Sequence, residues 1–494
     1  MGRPYPIRAL GSPVSVVALA VAGVCIAFAH GYGFHRDELY FMEAGKHPAW
    51  GYDDQPPLTP LIARAATAIF GASPTGLRIP SALALAACVA LAALTARELG
   101  AGRGGQVVAA VSLGGGGALF LGHLVSTTTY DFLAWTVLVY LAVRIVGRGE
   151  ERAWLAFGAV LGVALLNKWL PLTLVAALVA GLAADGRLSA LRSRWAAAAA
   201  LIALAIWLPN LIWQANHGWP QRELAGQIAD EDPLGTRLGF LPFQLVIMSP
   251  FLAFVWIKGL LWLVRAPEAR RFRWLGFAYV ALLVLCVAGG AKEYYAVGFY
   301  PALFAAGGIT LESWLRRPRA PLAFGGLVAV SAAVGAVIAF PVIPASSVGD
   351  SPVTAINEDA LETIGWPRFT DWVAGEWRGL PATARRRGVI VTVNYGEAGA
   401  IERFGPSRGL PRAYSGHNSF ASFGRPPDGA APVVVVGDYG MSFLESHFRG
   451  CRVVSHFDNG YGVDNEEQGA PLTVCTAPRE PWRTLWPKLH HLNA

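Results

Sequence analysis

Charge is what this sequence has least of. Asp, Glu, Lys and Arg make up 15% of its 494 residues, against roughly 25% in a soluble domain. Mean hydropathy is +0.42 and long stretches carry almost no charge, which excludes an ordinary soluble protein and signals a membrane protein. Lysine is scarcer still. Of the 40 basic residues five are Lys, at 46, 168, 258, 292 and 488, so arginine is the default cation. Together with heavy use of Ala and Gly, this fits a GC-rich bacterial genome. The net charge of +7 does not mark a nucleic-acid binder. The basic residues sit in short clusters between apolar runs, and such clusters orient a chain in a bilayer. No Walker loop, dinucleotide fingerprint, or haem, zinc-ribbon or thiol-redox spacing is found. Gly114 to Gly117 read as tight helix packing rather than a phosphate cradle, and no internal repeat is visible. Cys25, Cys88 and Cys286 lie in apolar runs as packing residues. Cys451 and Cys475 lie in a polar tail, where a disulfide and two free thiols are both open.

What is there is a series of apolar runs. About eleven are candidates to cross a membrane, near 13–31, 77–97, 105–122, 127–147, 153–167, 169–184, 196–215, 239–264, 273–289, 296–314 and 320–341. The first follows Arg3 and Arg8, and His30 to His35 offer no small-residue cleavage site, so it reads as a membrane helix rather than a signal peptide. Alternate loops carry Arg97/Arg103, Arg144/Arg148/Arg152, Arg187/Arg192/Arg194, Arg265/Arg270/Arg271/Arg273 and Arg316/Arg317/Arg319, while the short loops between them carry almost no Arg. This positive-inside alternation predicts a multi-pass protein of the bacterial plasma membrane, with the N-terminus cytoplasmic and an odd number of spans. The expected architecture is a polytopic α-helical membrane domain over 1–342, with a first external loop at 32–76, and an extracytoplasmic α/β domain over 343–494. A second external loop is expected at 216–238. In the tail, β-branched runs at 389–393, 433–436, 452–456 and 472–476 predict strands, and 397–404 and 441–448 predict helices. The end, from Trp482 to Ala494, is expected to pack on the membrane surface through Trp482 and Trp486.

The first external loop holds two acidic pairs, Asp37-Glu38 and Asp53-Asp54. Carboxylates beside hydrocarbon are costly unless solvated, paired or metal-bound; the plain alternative is a solvated loop. A glycosyl transfer needs a base for the incoming hydroxyl and positive groups or a metal at the departing phosphate. Asp37 is the candidate base, and Asp53, Asp54 or Glu38 would hold a metal or orient the sugar. Pro56-Pro57 fix the backbone where the loop turns into the next helix. Lys168 and Lys292 fall at outward helix ends in charge-poor connections, where an ammonium reaches either a phosphate or the lipid headgroups. Tyr294 and Tyr295 are belt aromatics or partners of a phosphate or sugar. His123 and Asp131 flank an outward turn; an Asp inside a membrane helix is a functional candidate, with capping by the neighbouring Ser/Thr run as the structural alternative. His217 is a metal-ligand candidate or an ordinary loop histidine.

These residues carry a family resemblance. Asp37-Glu38 with Tyr40, Asp54-Gln55-Pro56-Pro57-Leu58, Thr129-Tyr130-Asp131, Asn167-Lys168, Lys292-Glu293-Tyr294-Tyr295 and Tyr300-Pro301 resemble the protein O-mannosyltransferase and aminoarabinose transferase superfamily, membrane glycosyltransferases of the C-type fold. Asn394 to Ala400 and Ser415 to Asn418 are similar to the C-terminal region of bacterial members. The resemblance implies a polyprenyl-phosphate sugar as donor, inverting transfer, and a glycan, lipid or protein acceptor. It maps the base onto Asp37 and metal or substrate binding onto Asp54. Aminoarabinose transferases often carry Lys where this chain has Gln55, which shifts phosphate contact toward Lys168 and Lys292. Two other classes compete. A transporter or lipid flippase would place ionisable, broken-helix sites in related halves. A scaffold or sensor would use the tail as a binding module.

Overall fold

A computed structural model describes residues 12–231 and 235–493 of the chain. Arg3 and Arg8, part of the orientation argument, lie outside the described residues. The chain divides into two compact units. One holds the residues up to Ala27, Arg78–Trp213 and Ala225–Ala339; the other holds Phe28–Leu77, Gln214–Leu224 and the chain from Phe340 on.

The first unit is helical. Among the described residues five helices are long and apolar enough to cross a membrane: Pro74–Leu99, Thr127–Arg148, Arg194–Asn216, Glu293–Glu312 and Ala320–Ala339. A sixth is added if Arg237–Val246 and Pro250–Arg265, bent by 70°, form one span. The protein is therefore a multi-pass membrane protein. Other apolar runs form shorter helices, such as Ala153–Leu165, Pro171–Ala184 and Arg273–Ala288. These fall short of the roughly 20 residues a full crossing takes.

The glycine run corrects the sequence reading. No continuous helix covers 105–122: one helix runs Arg103–Gly114 and a short one resumes at Leu119–His123. Gly116 and Gly117 lie so close to the backbone of Ile247 and Met248 that a Cβ would collide with it. The Gly117 N–H donates to the Met248 carbonyl at 3.1 Å. Met248 lies in the other break, where Ser249 adopts φ +125°. The Ser331 hydroxyl is hydrogen-bonded to the Gly115 carbonyl and to the Ser249 hydroxyl, the latter at 2.7 Å. Interrupted helices in a membrane protein need such partners, because lipid offers none. Elsewhere helices approach through small residues. Gly105 meets Gly308, and Gly259 meets the Leu303 carbonyl and Gly307, leaving no room for side chains.

In the second unit the loop forms the helices Arg36–Lys46 and Leu58–Phe70. The tail forms strands β1 (Val389–Thr392), β2 (Ala413–Ser415), β3 (Val433–Val436), β4 (Phe448–Arg449), β5 (Arg452–His456), β6 (Pro471–Cys475) and β7 (Ala477–Pro478). Five make a sheet in the order β2-β1-β3-β6-β5, and β4 pairs with β7. β2, β1 and β3 are parallel, while β6 and β5 join antiparallel. β1 and β3 are buried at every residue, which is why they read as unbroken β-branched runs rather than alternating ones. The helix Tyr395–Phe404 crosses from β1 to β2.

Trp482 and Trp486 do not lie open to a membrane surface. Both are buried in the core of the sheet with Val389, Val433, Phe448 and Leu485. The Trp482 indole N–H donates to the Ala430 carbonyl at 3.1 Å. The helix Trp482–Leu489 is amphipathic, and its apolar stripe finds the sheet. Cys451 and Cys475 form a disulfide, tying the residue before β5 to the end of β6.

Candidate active site

The acidic residues of the loop belong to the second unit. The helix Arg36–Lys46 starts on a capping box. The His35 side chain accepts from the Asp37 N–H at 3.1 Å, and the Glu38 carboxylate accepts from the His35 N–H at 2.9 Å. Two carboxylates in the first turn also suit the positive end of the helix dipole. Glu38, a catalytic candidate from sequence, is thus a buried cap, whereas Asp37 stands half-buried beside it. Asp37 Oδ1 accepts from the Tyr395 hydroxyl at 2.8 Å.

Asp54 is held in the same manner. Its Oδ1 accepts from the Tyr40 hydroxyl at 2.7 Å. Burial pushes the Asp54 carboxyl up to about 7, against the stabilising bond from Tyr40. The Asp53 N–H donates to Ser419 Oγ at 2.6 Å, and its carboxylate lies 3.3 Å from His490 Nε2. Gln55 is 4% exposed, and neither atom of its side-chain amide has a protein partner among the described residues. Arg36 pairs with Glu362 at 3.8 Å and with Glu466. Its guanidinium lies 5.2 Å from the centre of the Tyr395 ring.

Asp54 and His217, the metal candidates from sequence, do not fall in a group of three close donors among the described residues; His217 lies exposed in the turn before the helix Pro220–Glu231. The one such group among the described residues is Glu362, Glu466 and Glu467, with ligand atoms within 4.8 Å of one another. There Arg36 already supplies positive charge.

The lysines, His123 and Asp131 belong to the first unit. Lys168 occupies the turn between the helices Ala153–Leu165 and Pro171–Ala184. Its ammonium lies 4.7 Å from the centre of the Tyr295 ring and 5.5 Å from that of Tyr294, a cation–π arrangement. Burial pulls Lys168 below the usual lysine range against the attraction of Asp131, and Lys292 adds repulsion. The turn is anchored by Asn167, whose amide donates to the Thr127 carbonyl at 2.7 Å. Ser126 caps the helix Thr127–Arg148 through the Thr129 N–H at 3.2 Å, so the Ser/Thr run does cap the helix that carries buried Asp131. Gln244 secures the turn that follows Lys292 by donating to the Glu293 carbonyl at 2.8 Å. The Tyr300 hydroxyl in turn donates to the Gln244 carbonyl at 2.9 Å. His123 is buried within electrostatic reach of Arg78.

Sequence reasoning missed Arg36, Arg78, Tyr395 and His490. Arg78 is 1% exposed in the first turns of the helix Pro74–Leu99, where the charge alternation predicts almost no Arg; that exception was a readable signal. Asn394-x-x-Glu397 was another, since it spells a capping box that starts a helix at Tyr395. His490 gave none.

Residues 54–213 match the family described as dolichyl-phosphate-mannose-protein mannosyltransferase. No curated protein sequence matches the chain. Among solved structures, ArnT from Cupriavidus metallidurans bound to undecaprenyl phosphate is 14% identical. The match covers 93% of this chain and 97% of that one, with a TM-score of 0.61. ArnT from the same organism in the apo state is 15% identical, with 97% and 98% covered and a TM-score of 0.55. At such identities the likeness is one of fold, and it extends over nearly the whole chain.

Proposed function

We propose, from a chain that resembles the protein O-mannosyltransferase and aminoarabinose transferase superfamily in sequence over residues 54–213 and in fold over nearly its whole length, that this protein is a membrane glycosyltransferase. It moves a sugar from a polyprenyl-phosphate carrier to an acceptor outside the cytoplasm. The undecaprenyl phosphate bound to the ArnT structure supports a donor of that class. The acceptor hydroxyl attacks the anomeric carbon and its proton passes to Asp37. The bond from that carbon to the phosphate oxygen breaks on the face opposite the attack, and polyprenyl phosphate leaves with the electron pair, so configuration inverts. Lys168 and Lys292 balance the charge on the departing phosphate, while Tyr294 and Tyr295 flank the Lys168 ammonium. Gln55, with its buried amide unpartnered, contacts the substrate, and Asp53 helps to orient it. Glu38 keeps the helix start in place. In the same proposal the chain crosses the membrane eleven times, some crossings being made on short or interrupted helices, with the N-terminus cytoplasmic, the tail outside and a boundary near residue 342.

The observation that carries it is the treatment of Asp37 and Asp54. Asp37 and Asp54 are each gripped by one tyrosine hydroxyl, which a merely solvated loop does not need. A transporter or flippase finds support in the broken helices. That break, however, is closed by hydrogen bonds among backbone groups and two serines, not by the ionisable groups that such sites use. Mass spectrometry of envelope glycans with and without the protein is the test, with Asp37→Asn as the comparison. Loss of one sugar in both the deletion and the variant is expected, since removing a general base costs about 10²–10⁴ in rate. An unchanged glycan profile on deletion would overturn the proposal.

A further inference from the structure

Tyr395 lies far from the loop in sequence and at its chemistry in space. It is the first residue of the helix Tyr395–Phe404. That start is rigid: Asn394 Oδ1 accepts from the Glu397 N–H at 2.8 Å, and the Glu397 carboxylate accepts from the N–H groups of Asn394 and Val393, both at 3.0 Å. The Tyr395 ring stacks on Tyr40, with centroids 4.6 Å apart at 24°, and on His417, at 4.6 Å and 29°. His417 stacks in turn on His491 at 4.8 Å and 14°. Four rings thus form one pile, and its two tyrosines hold Asp37 and Asp54. Burial and the charge of Asp37 keep the Tyr395 hydroxyl well above its ordinary range, so it stays protonated and donates.

We propose that Tyr395 is a positioning residue for the transfer. Its hydroxyl engages Oδ1 of Asp37 and so fixes the direction of the other carboxylate oxygen, which receives the acceptor proton. The role of the sheet is then to aim the base, through a ring clamped by Tyr40 and His417. This rests on the reading of Asp37 as base.

The test uses the full chain in cells lacking the native copy. It follows incorporation of the envelope sugar that disappears on deletion, normalised to the amount of protein in the membrane. Tyr395→Phe keeps the ring in the pile and removes only the donor. It is expected to slow incorporation on the order of tenfold to a hundredfold, the scale of a misaimed catalytic group. The loss should come without a fall in the protein's thermal unfolding midpoint, because the Phe ring still stacks on Tyr40 and His417. A merely structural tyrosine is rescued by Phe and loses activity and unfolding midpoint together as Tyr395→Leu. If Asp37→Asn is inactive but Tyr395→Phe matches wild type, or loses activity only in step with its unfolding midpoint, the positioning role is wrong while the base stands. If Asp37→Asn is active, both fall.

Discussion

At the scale of single residues, the decisive positions combine burial with one specific partner. Glu397 shows what that does to titration. Burial pushes its carboxyl up to about 7, although the N–H groups of Asn394 and Val393 favour the charged form. An unfolded glutamate titrates near 4.3. The native state therefore keeps a proton that the unfolded chain gives up. The stability this supplies is full below the unfolded value and is lost as pH rises through about 7. Glu397→Gln should flatten that part of the profile. Thermal unfolding of variant and wild type between pH 5 and pH 8 checks it, and parallel curves would refute it. At this scale the sequence was half legible. Asp37 and Asp54 stood out because acids are rare in the chain, and Lys168 because lysine is rarer still. Tyr395 did not stand out, because nothing local says that a tyrosine in the tail meets an aspartate of the first loop.

Among elements, strands and helix starts were readable wherever local physics decides them. The runs at 389–393 and 433–436 became β1 and β3 within a residue, since β-branched residues buried on both faces have few other uses. The three-residue β2 left no periodicity to read. Trp482 and Trp486 were misplaced on a membrane surface because an amphipathic stripe does not say what covers it. The break at Gly114–Gly117 was read as continuous helix because its partner, Met248, is distant in sequence. The disulfide was left open by sequence and is closed in the structure. Cys451 and Cys475 are 24 residues apart, and a loop of that order constrains the unfolded chain by about 3 kcal/mol. Cys451→Ser should lower the unfolding midpoint of the tail, read by protease resistance across a temperature series. An unchanged midpoint, with and without reductant, would show that the bond contributes nothing.

For the whole molecule, composition and charge alternation identified a multi-pass membrane protein before any motif was needed. The helices bear this out, although fewer of them are full-length than the hydropathy runs suggest. Short and interrupted helices hide in such runs because hydropathy measures composition, not backbone continuity. The compact units cut across the linear order, since residues 28–77 fold with the tail. No boundary drawn along the sequence could have shown this. The acids and the lysines accordingly belong to different units.

Under the proposed function the sugar arrives on a polyprenyl phosphate and Asp37 starts its departure. Lipid extracts of cells carrying Asp37→Asn in place of the native protein, analysed by mass spectrometry, test this. A polyprenyl-phosphate monosaccharide should accumulate in the variant while the matching envelope sugar disappears. A lipid-linked sugar pool identical to wild type, with the envelope sugar still in place, would contradict it.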